Sequence, residues 1–400
     1  MSDLLKVGVA LSKVLGSVEP DLTTESVPLL QALGRVLAKD VVSPIDVPGS
    51  DNSAMDGYAL AVVDTNEPLP VVQRIPAGTA GQPLQPGTAA RIFTGAPIPS
   101  GADAVVMQEN CTEVDGIVTI NTSAKVGANI RPRGQDIARG SVVLGKGRRL
   151  RPPDLGLLAS IGCAEVEVYL PLRVAIMSTG DELVEPGAGE PNAAQVYNSN
   201  RYTLSGLLQG LHMEVVDLGI VPDNPAATAS ALRKAADIAD CVVSSGGVSV
   251  GEEDHVKREV ERLGRLDLWK LAIKPGKPLA FGYIGDTPFV GLPGNPTSVF
   301  VTFCLIARPM LLKLQGSLEH EAPRLQAAAD FQVDRPNRRQ EYLRVSLEHR
   351  DGRVWAASHA NQSSGVLSSV SHSDALAIVP PDTTVAIGDT LDILLLDALY

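Results

Sequence analysis

The residues with the most chemical potential lie where apolar runs end. Residues 241–254 read C-V-V-S-S-G-G-V-S-V-G-E-E-D, a short apolar run followed by two serines, a glycine pair and three acids. A buried strand, a Gly/Ser-rich turn and an acid-capped helix give this pattern. Such a turn lets backbone N–H groups converge on an anion, because glycine tolerates positive φ and has no Cβ in the way. The helix that follows adds its N-terminal dipole. Asp254 can cap that helix or hold a divalent ion beside a phosphate, and both roles stay open. Further acids, Asp181, Glu182 and Asp223, follow other apolar runs. Carboxylates beside a phosphate-binding turn suit Mg2+, which takes one or two of them together with phosphate oxygens. The cationic counterpart is I-K-P-G-K-P, in which Lys274 and Lys277 flank a Pro-Gly turn and can face one point. There is no Ser-His-Asp or Cys-His signature. Phosphate-ester or oxyanion transfer with a divalent metal is the chemistry these residue types support.

These loops need a scaffold that gathers them. From residue 173 onward, apolar runs at 173–177, 214–218, 241–244, 268–273, 279–283 and 289–292 alternate with helical patterns at 199–211, 225–238, 254–263 and 296–314. That order predicts an α/β domain over 173–318, a largely parallel sheet with helices on both faces. Its ligands bind beyond the carboxyl ends of the strands. The loops S-T-G-D-E-L, S-S-G-G-V-S and G-L-P-G-N-P should therefore share one edge. Residues 49–140 carry short apolar runs between Gly/Pro turns and predict a β-rich domain. Two of its loops stand out, D-N-S-A-M-D-G-Y-A from Asp51 and T-G-A-P-I-P-S-G-A-D from Thr94. Residues 319–400 predict a compact β-barrel or sandwich. Segments 1–48 and 141–172 form a discontinuous linker domain, with helices expected at 4–15, 28–38 and 152–161.

Composition narrows the function class. The chain has 400 residues, enough for several domains, and 44% of them are hydrophobic. Its net charge of −12 argues against a general nucleic-acid surface. No run of about 18 uncharged apolar residues occurs, so no membrane span is expected. The N-terminus mixes Lys6 and Lys13 among leucines and lacks a signal-peptide core, which predicts a cytoplasmic protein. The four cysteines are widely separated and read as buried free thiols.

Taken in order, D-N-S-A-M-D-G-Y-A, T-G-A-P-I-P-S-G-A-D-A-V-V, S-T-G-D-E-L, S-S-G-G-V-S-V-G-E-E-D, K-P-G-K-P and G-L-P-G-N-P resemble the molybdopterin molybdenumtransferase family, which includes the C-terminal domain of gephyrin. The resemblance implies a multidomain α/β plus β protein. It would have a central doubly wound molybdopterin-binding domain, a β-rich second domain, a helical and extended linker domain and a C-terminal β-barrel. It implies molybdenum insertion from molybdate into adenylylated molybdopterin, with Mg2+-dependent release of AMP. The implied assembly is a homodimer whose linker domains pair and whose sites are shared between subunits. By the resemblance, Gly246, Gly247, Ser249, Pro293, Gly294, Asn295 and Pro296 hold molybdopterin. Asp56, Thr94, Asp136, Glu182, Asp223 and Asp254 are catalytic, with Glu182 and Asp254 on the metal and Asp56 and Thr94 reaching in from the partner. Lys274, Lys277, Arg344 and Ser363 hold molybdate. One departure falls at His372-Ser373-Asp374-Ala375, where Asp374 would repel an oxyanion if it bordered the pocket. The competing readings are a molybdopterin adenylyltransferase, which lacks the two extra β domains, and a non-catalytic molybdopterin-binding scaffold.

Overall fold

The computed structural model describes residues 4–247 and 255–400. At its centre is a six-stranded sheet in the order Glu214–Val221, Arg173–Thr179, Cys241–Ser245, Thr287–Leu292, Pro278–Ile284, Gly264–Lys270. The first four strands are parallel and the last two antiparallel. Successive residues of the central strands point to opposite faces, and both faces are apolar. Val174, Ile176, Cys241 and Val243 join one core cluster, while Ala175, Met177 and Val242 join another. A strand buried on both sides reads as an unbroken apolar run, which is why these segments lack alternation in the sequence.

Helices Ser199–Gly210 and Pro225–Ile238 start on asparagine caps. Asn198 Oδ1 accepts the Arg201 N–H and Asn224 Oδ1 accepts the Ala227 N–H. Residues 296–314 form one continuous rod, α-helical at Pro296–Thr302 and Arg308–Leu314 with a π-helical turn at Phe303–Ala307 between them. It is apolar enough by composition to cross a membrane, but 89% of its apolar window is buried inside the protein. It is a core helix. The N-terminal helix Val7–Ser17 buries Ala10 and Val14 in the same cluster.

The C-terminal strands Leu325–Ala329, Gln340–Arg350, Arg353–Ser358, Ala375–Val379 and Thr390–Leu395 close into a five-stranded barrel, because Gln340–Arg350 pairs with both Arg353–Ser358 and Ala375–Val379. A sixth short strand, Ile273–Lys274, lies parallel to the start of Gln340–Arg350 with Lys274 opposite Glu341. The lysine turn of the α/β domain is thereby bound to the barrel. Residues 52–120 supply the β-rich region, a six-stranded sheet that includes Gly57–Leu60, Leu69–Ile75 and Ala89–Ile92.

The helix expected at 28–38 does not form. Strand Thr24–Pro28 and a single 3-10 turn, Leu29–Gln31, occupy its start. Beyond them the backbone bonds outward instead of to i−4: Gly34 N–H to Leu150, Leu37 to Arg148 and Ala38 to Glu167. Gly34 adopts φ +73 and packs against the His212 ring, a close approach that a side chain would block. The leucine spacing was misleading, since Leu30 is 93% exposed while Ala32, Val36 and Leu37 are buried. Helix Pro152–Ser160 does form, with Asp154 receiving the Arg151 N–H and an ion pair from Arg148 at 2.8 Å.

Candidate functional site

Beyond the carboxyl ends of Arg173–Thr179, Cys241–Ser245 and Thr287–Leu292 the chain opens a cleft of about 690 Å³, walled on its far side by the barrel. One wall is the glycine pair. Gly246 and Gly247 take φ +85 and +66 in succession, the left-handed region that glycine tolerates, and the Gly246 N–H donates to the Leu292 carbonyl at 3.2 Å. A Cβ on Gly247 would stand 2.5 Å from Val256 Cγ2 and 2.8 Å from Thr179 Oγ1. Glycine is required there by backbone and by space. The expected ligands Ser249 and Asp254 lie outside the described residues.

Opposite the glycines runs the turn Pro293, Gly294, Asn295, all three on the cleft wall. Pro296, expected with them, does not line the cleft; it is the first residue of the buried helix. Asn295 holds the N-cap position without making a capping bond, so its amide is not used by the helix. The positive end of that rod faces the cleft. Behind the turn, Asn200, which sequence reasoning passed over, donates from Nδ2 to the Gly294 carbonyl at 2.7 Å.

Glu182 and Asp223 both line the cleft, as expected from their strand ends. The Asp223 N–H donates to Asp181 Oδ1 at 3.4 Å, tying the two acidic loops together. Among the described residues no group of three or more His, Cys, Asp or Glu side chains is arranged around a metal position. Two carboxylates beside a glycine turn do match the donor set of Mg2+, which takes its other oxygens from substrate and water.

Lys274, Lys277 and Ser363 line the barrel end of the same cleft. Ser364 lines it too, so both serines of the loop face it. Lys274 Nζ is 2.7 Å from Glu341 Oε1; with the lysine side chain 47% exposed, the pair adds only about 0–1 kcal/mol to stability. Arg344 does not reach the cleft wall. It is 1% exposed and donates to Ser369 Oγ, the Tyr342 carbonyl and, at 3.4 Å, the Ser363 carbonyl. Burial lowers its pKa to about 10. It braces the serine loop from behind. The arginine at the surface is Arg339, which lines the cleft and donates to the Ile273 carbonyl at 3.3 Å. The only signal for it was its place in N-R-R-Q-E-Y-L-R, where three arginines crowd eight residues and only the barrel register separates them. Asp374 lies elsewhere. Its carboxylate accepts the Leu347 N–H at 2.7 Å within the barrel, so it does not oppose an anion in the cleft.

Asp56, Thr94 and Asp136 are not brought to this cleft. Asp56 and Thr94 do meet each other: the Thr94 N–H and hydroxyl both donate to Asp56 Oδ1 at 2.8 Å. The Thr94 N–H is the main reason the Asp56 carboxyl sits below its ordinary 3.8, with the Thr94 hydroxyl next. Asp136 is exposed near the base of the β-rich region, its N–H bonded to the Val47 carbonyl.

The chain matches known proteins along most of its length. Three family profiles follow one another along the chain: "MoeA N-terminal region (domain I and II)" over residues 5–162, "Probable molybdopterin binding domain" over 175–313, and "MoeA C-terminal region (domain IV)" over 326–396. A molybdopterin molybdenumtransferase of Haemophilus influenzae is 46% identical over 326 residues, 80% of each chain. One from Nostoc sp. is 39% identical over 379 residues, 89% of this chain and 85% of its own. The chain belongs to the molybdopterin molybdenumtransferase family. The crystal structure of a molybdopterin biosynthesis MoeA protein from Pyrococcus horikoshii OT3 superposes with a TM-score of 0.84 at 30% identity, covering 98% of this chain and all of that one. In this chain the six sequence motifs divide between two places: four have described residues that line the cleft or border it, and two lie on the β-rich region.

Proposed function

We propose that the chain inserts molybdenum from molybdate into adenylylated molybdopterin and releases AMP. The observation that carries this reading is the cleft itself, with a glycine turn at one end and a lysine–arginine–serine group at the other. Gly247 offers its N–H to the phosphate end of the pterin, Gly246 leaves room for the phosphate to approach while its own N–H is held by the Leu292 carbonyl, and the turn Pro293–Gly294–Asn295 holds the pterin body against the sheet edge. Lys277, Arg339 and Ser363 supply charge and donors for a tetrahedral dianion. The two substrates are thus held in one groove, which replaces an encounter in solution with a fixed geometry. Glu182 and Asp223 would hold Mg2+, whose charge, when bound, offsets that of the phosphoanhydride.

The acting unit of this reading is a homodimer. Asp56 and Thr94 form a ready hydrogen-bonded pair that does not line this cleft. Leu30, Val42, Ile45 and Val142 on the linker segments are 93, 50, 45 and 56% exposed, apolar surface that a second copy would cover. A cytoplasmic setting belongs to the same proposal. The decisive experiment supplies purified protein with adenylylated molybdopterin, molybdate and Mg2+, and measures AMP. Release that depends on molybdate and Mg2+ is expected; substrate binding without AMP above a molybdate-free control would leave only a binding role.

A further inference from the structure

Three cations surround the barrel end of the cleft, and they are not equivalent. Lys277 and Arg339 make no ion pair among the described residues. Lys274 is paired with Glu341, whose side chain is only 8% exposed and whose Oε1 also accepts from Asn337 Nδ2 at 3.3 Å. The pairing follows from strand register: Lys274 and Glu341 are opposite one another in the parallel ladder that joins the lysine turn to the barrel. The Glu341 side chain is buried and cannot turn away to solvent at low cost, so its charge stays beside the lysine turn and offsets that of Lys274, whose own side chain is half-exposed. Lys274 and Glu341 together are neutral, which leaves two uncompensated positive charges facing a dianion.

We infer that Glu341 is a positioning residue that withholds the charge of Lys274, so that Lys277 and Arg339 carry the electrostatic grip on the oxyanion. This rests on the molybdate-binding function proposed above. A third free cation would strengthen the hold on any tetrahedral oxyanion and slow its transfer to the pterin.

The test is calorimetric titration of the full-length protein and its variants with molybdate alone, at several salt concentrations. Lys277→Ala should weaken binding about tenfold or more, the loss expected of a charged hydrogen bond. Lys274→Ala combined with Glu341→Gln removes a neutral pair and should stay within about twofold of wild type. Glu341→Gln alone, which frees Lys274, should tighten binding several-fold and steepen its salt dependence; Glu341→Asp should restore both. A purely structural glutamate would give the opposite sign, with weaker binding and an unchanged salt slope. The inference is overturned if the double variant loses as much as Lys277→Ala, or if Glu341→Gln weakens binding or leaves it unchanged. Should the double variant not fold, the isosteric Glu341→Gln decides by itself. Absence of molybdate binding by the wild type sinks the proposed function along with the inference, whereas wild-type binding with a failed double variant sinks the inference alone.

Discussion

The α/β cleft and the β-rich region carry motifs of equal clarity, but the fold treats them in opposite ways. In the cleft, loops far apart in sequence converge: Gly247, Asp223, Lys277, Asn295 and Ser363 share one groove. In the β-rich region, Asp56 and Thr94 are bonded to each other and to nothing across that groove. A parallel sheet must place its strand ends on one edge, so the cleft assembles within a single chain. A sheet joined to the rest by two strands, Val41–Val42 and Val142–Leu144, has no such obligation. A motif's chemistry is legible from its residues; where it acts depends on what the topology brings near it.

The contrast is most sharply tested at the glycine pair. Gly247→Ala forces a side chain into the left-handed region, which costs about 1–2 kcal/mol, and drives its Cβ into Val256 and Thr179. AMP release should fall about a hundredfold or more, the scale of losing one oriented donor. Gly294→Ala, where a Cβ would meet only the Gly246 Cα at 3.9 Å, should leave the melting temperature unchanged. Equal damage from both variants would mean that the left-handed glycine turn is not what matters.

If the β-rich region is half of a site completed in a second copy, Asp56→Ala should abolish turnover while lowering stability by no more than about 1–2 kcal/mol, the scale of the lost Thr94 hydrogen bonds. Mixing Asp56→Ala chains with Lys277→Ala chains should then recover about a quarter of wild-type activity, since half the dimers are mixed and each has one intact site. No recovery on mixing, with dimers confirmed by light scattering, would place Asp56 and the cleft in one subunit.

Two arginines separate supporting from contacting roles. Arg344→Ala should cost about 2–3 kcal/mol in chemical denaturation, because it removes buried hydrogen bonds behind the serine loop. Arg339→Ala should change stability by no more than about 0.5 kcal/mol and raise the KM for molybdate.

The smallest effect concerns acid. The Thr94 N–H and hydroxyl depress the Asp56 carboxyl, so whatever this bond adds to stability is present above the ordinary value of 3.8 and lost as pH falls through the lower folded-state value. Carboxyl-carbon NMR should show Asp56 titrating below 3.8, and Thr94→Val should move the midpoint upward. A midpoint indifferent to Thr94 would remove the bond from the account.

Much of this architecture is local in origin and could be read from the chain. Apolar runs bounded by Gly/Ser turns specified the central strands, and the helix at Pro225–Ile238 begins and ends where its Pro and apolar spacing place it. The carboxylates and lysines at strand ends followed from the same alternation. The helix at 28–38 was misread because leucine spacing cannot reveal backbone partners more than a hundred residues away, at Arg148, Leu150 and Glu167. Arg339 rather than the expected Arg344 lines the cleft for a related reason. Arg344 lies inside strand Gln340–Arg350 with its side chain buried, whereas Arg339 lies in the bend just before that strand, which the pairing of Lys274 with Glu341 brings to the cleft. Sequence alone determined the chemistry, because residue type and turn conformation are local. Only the tertiary structure decided which charge is free and which is already paired, because ion pairing depends on distance between strands that the sequence keeps far apart.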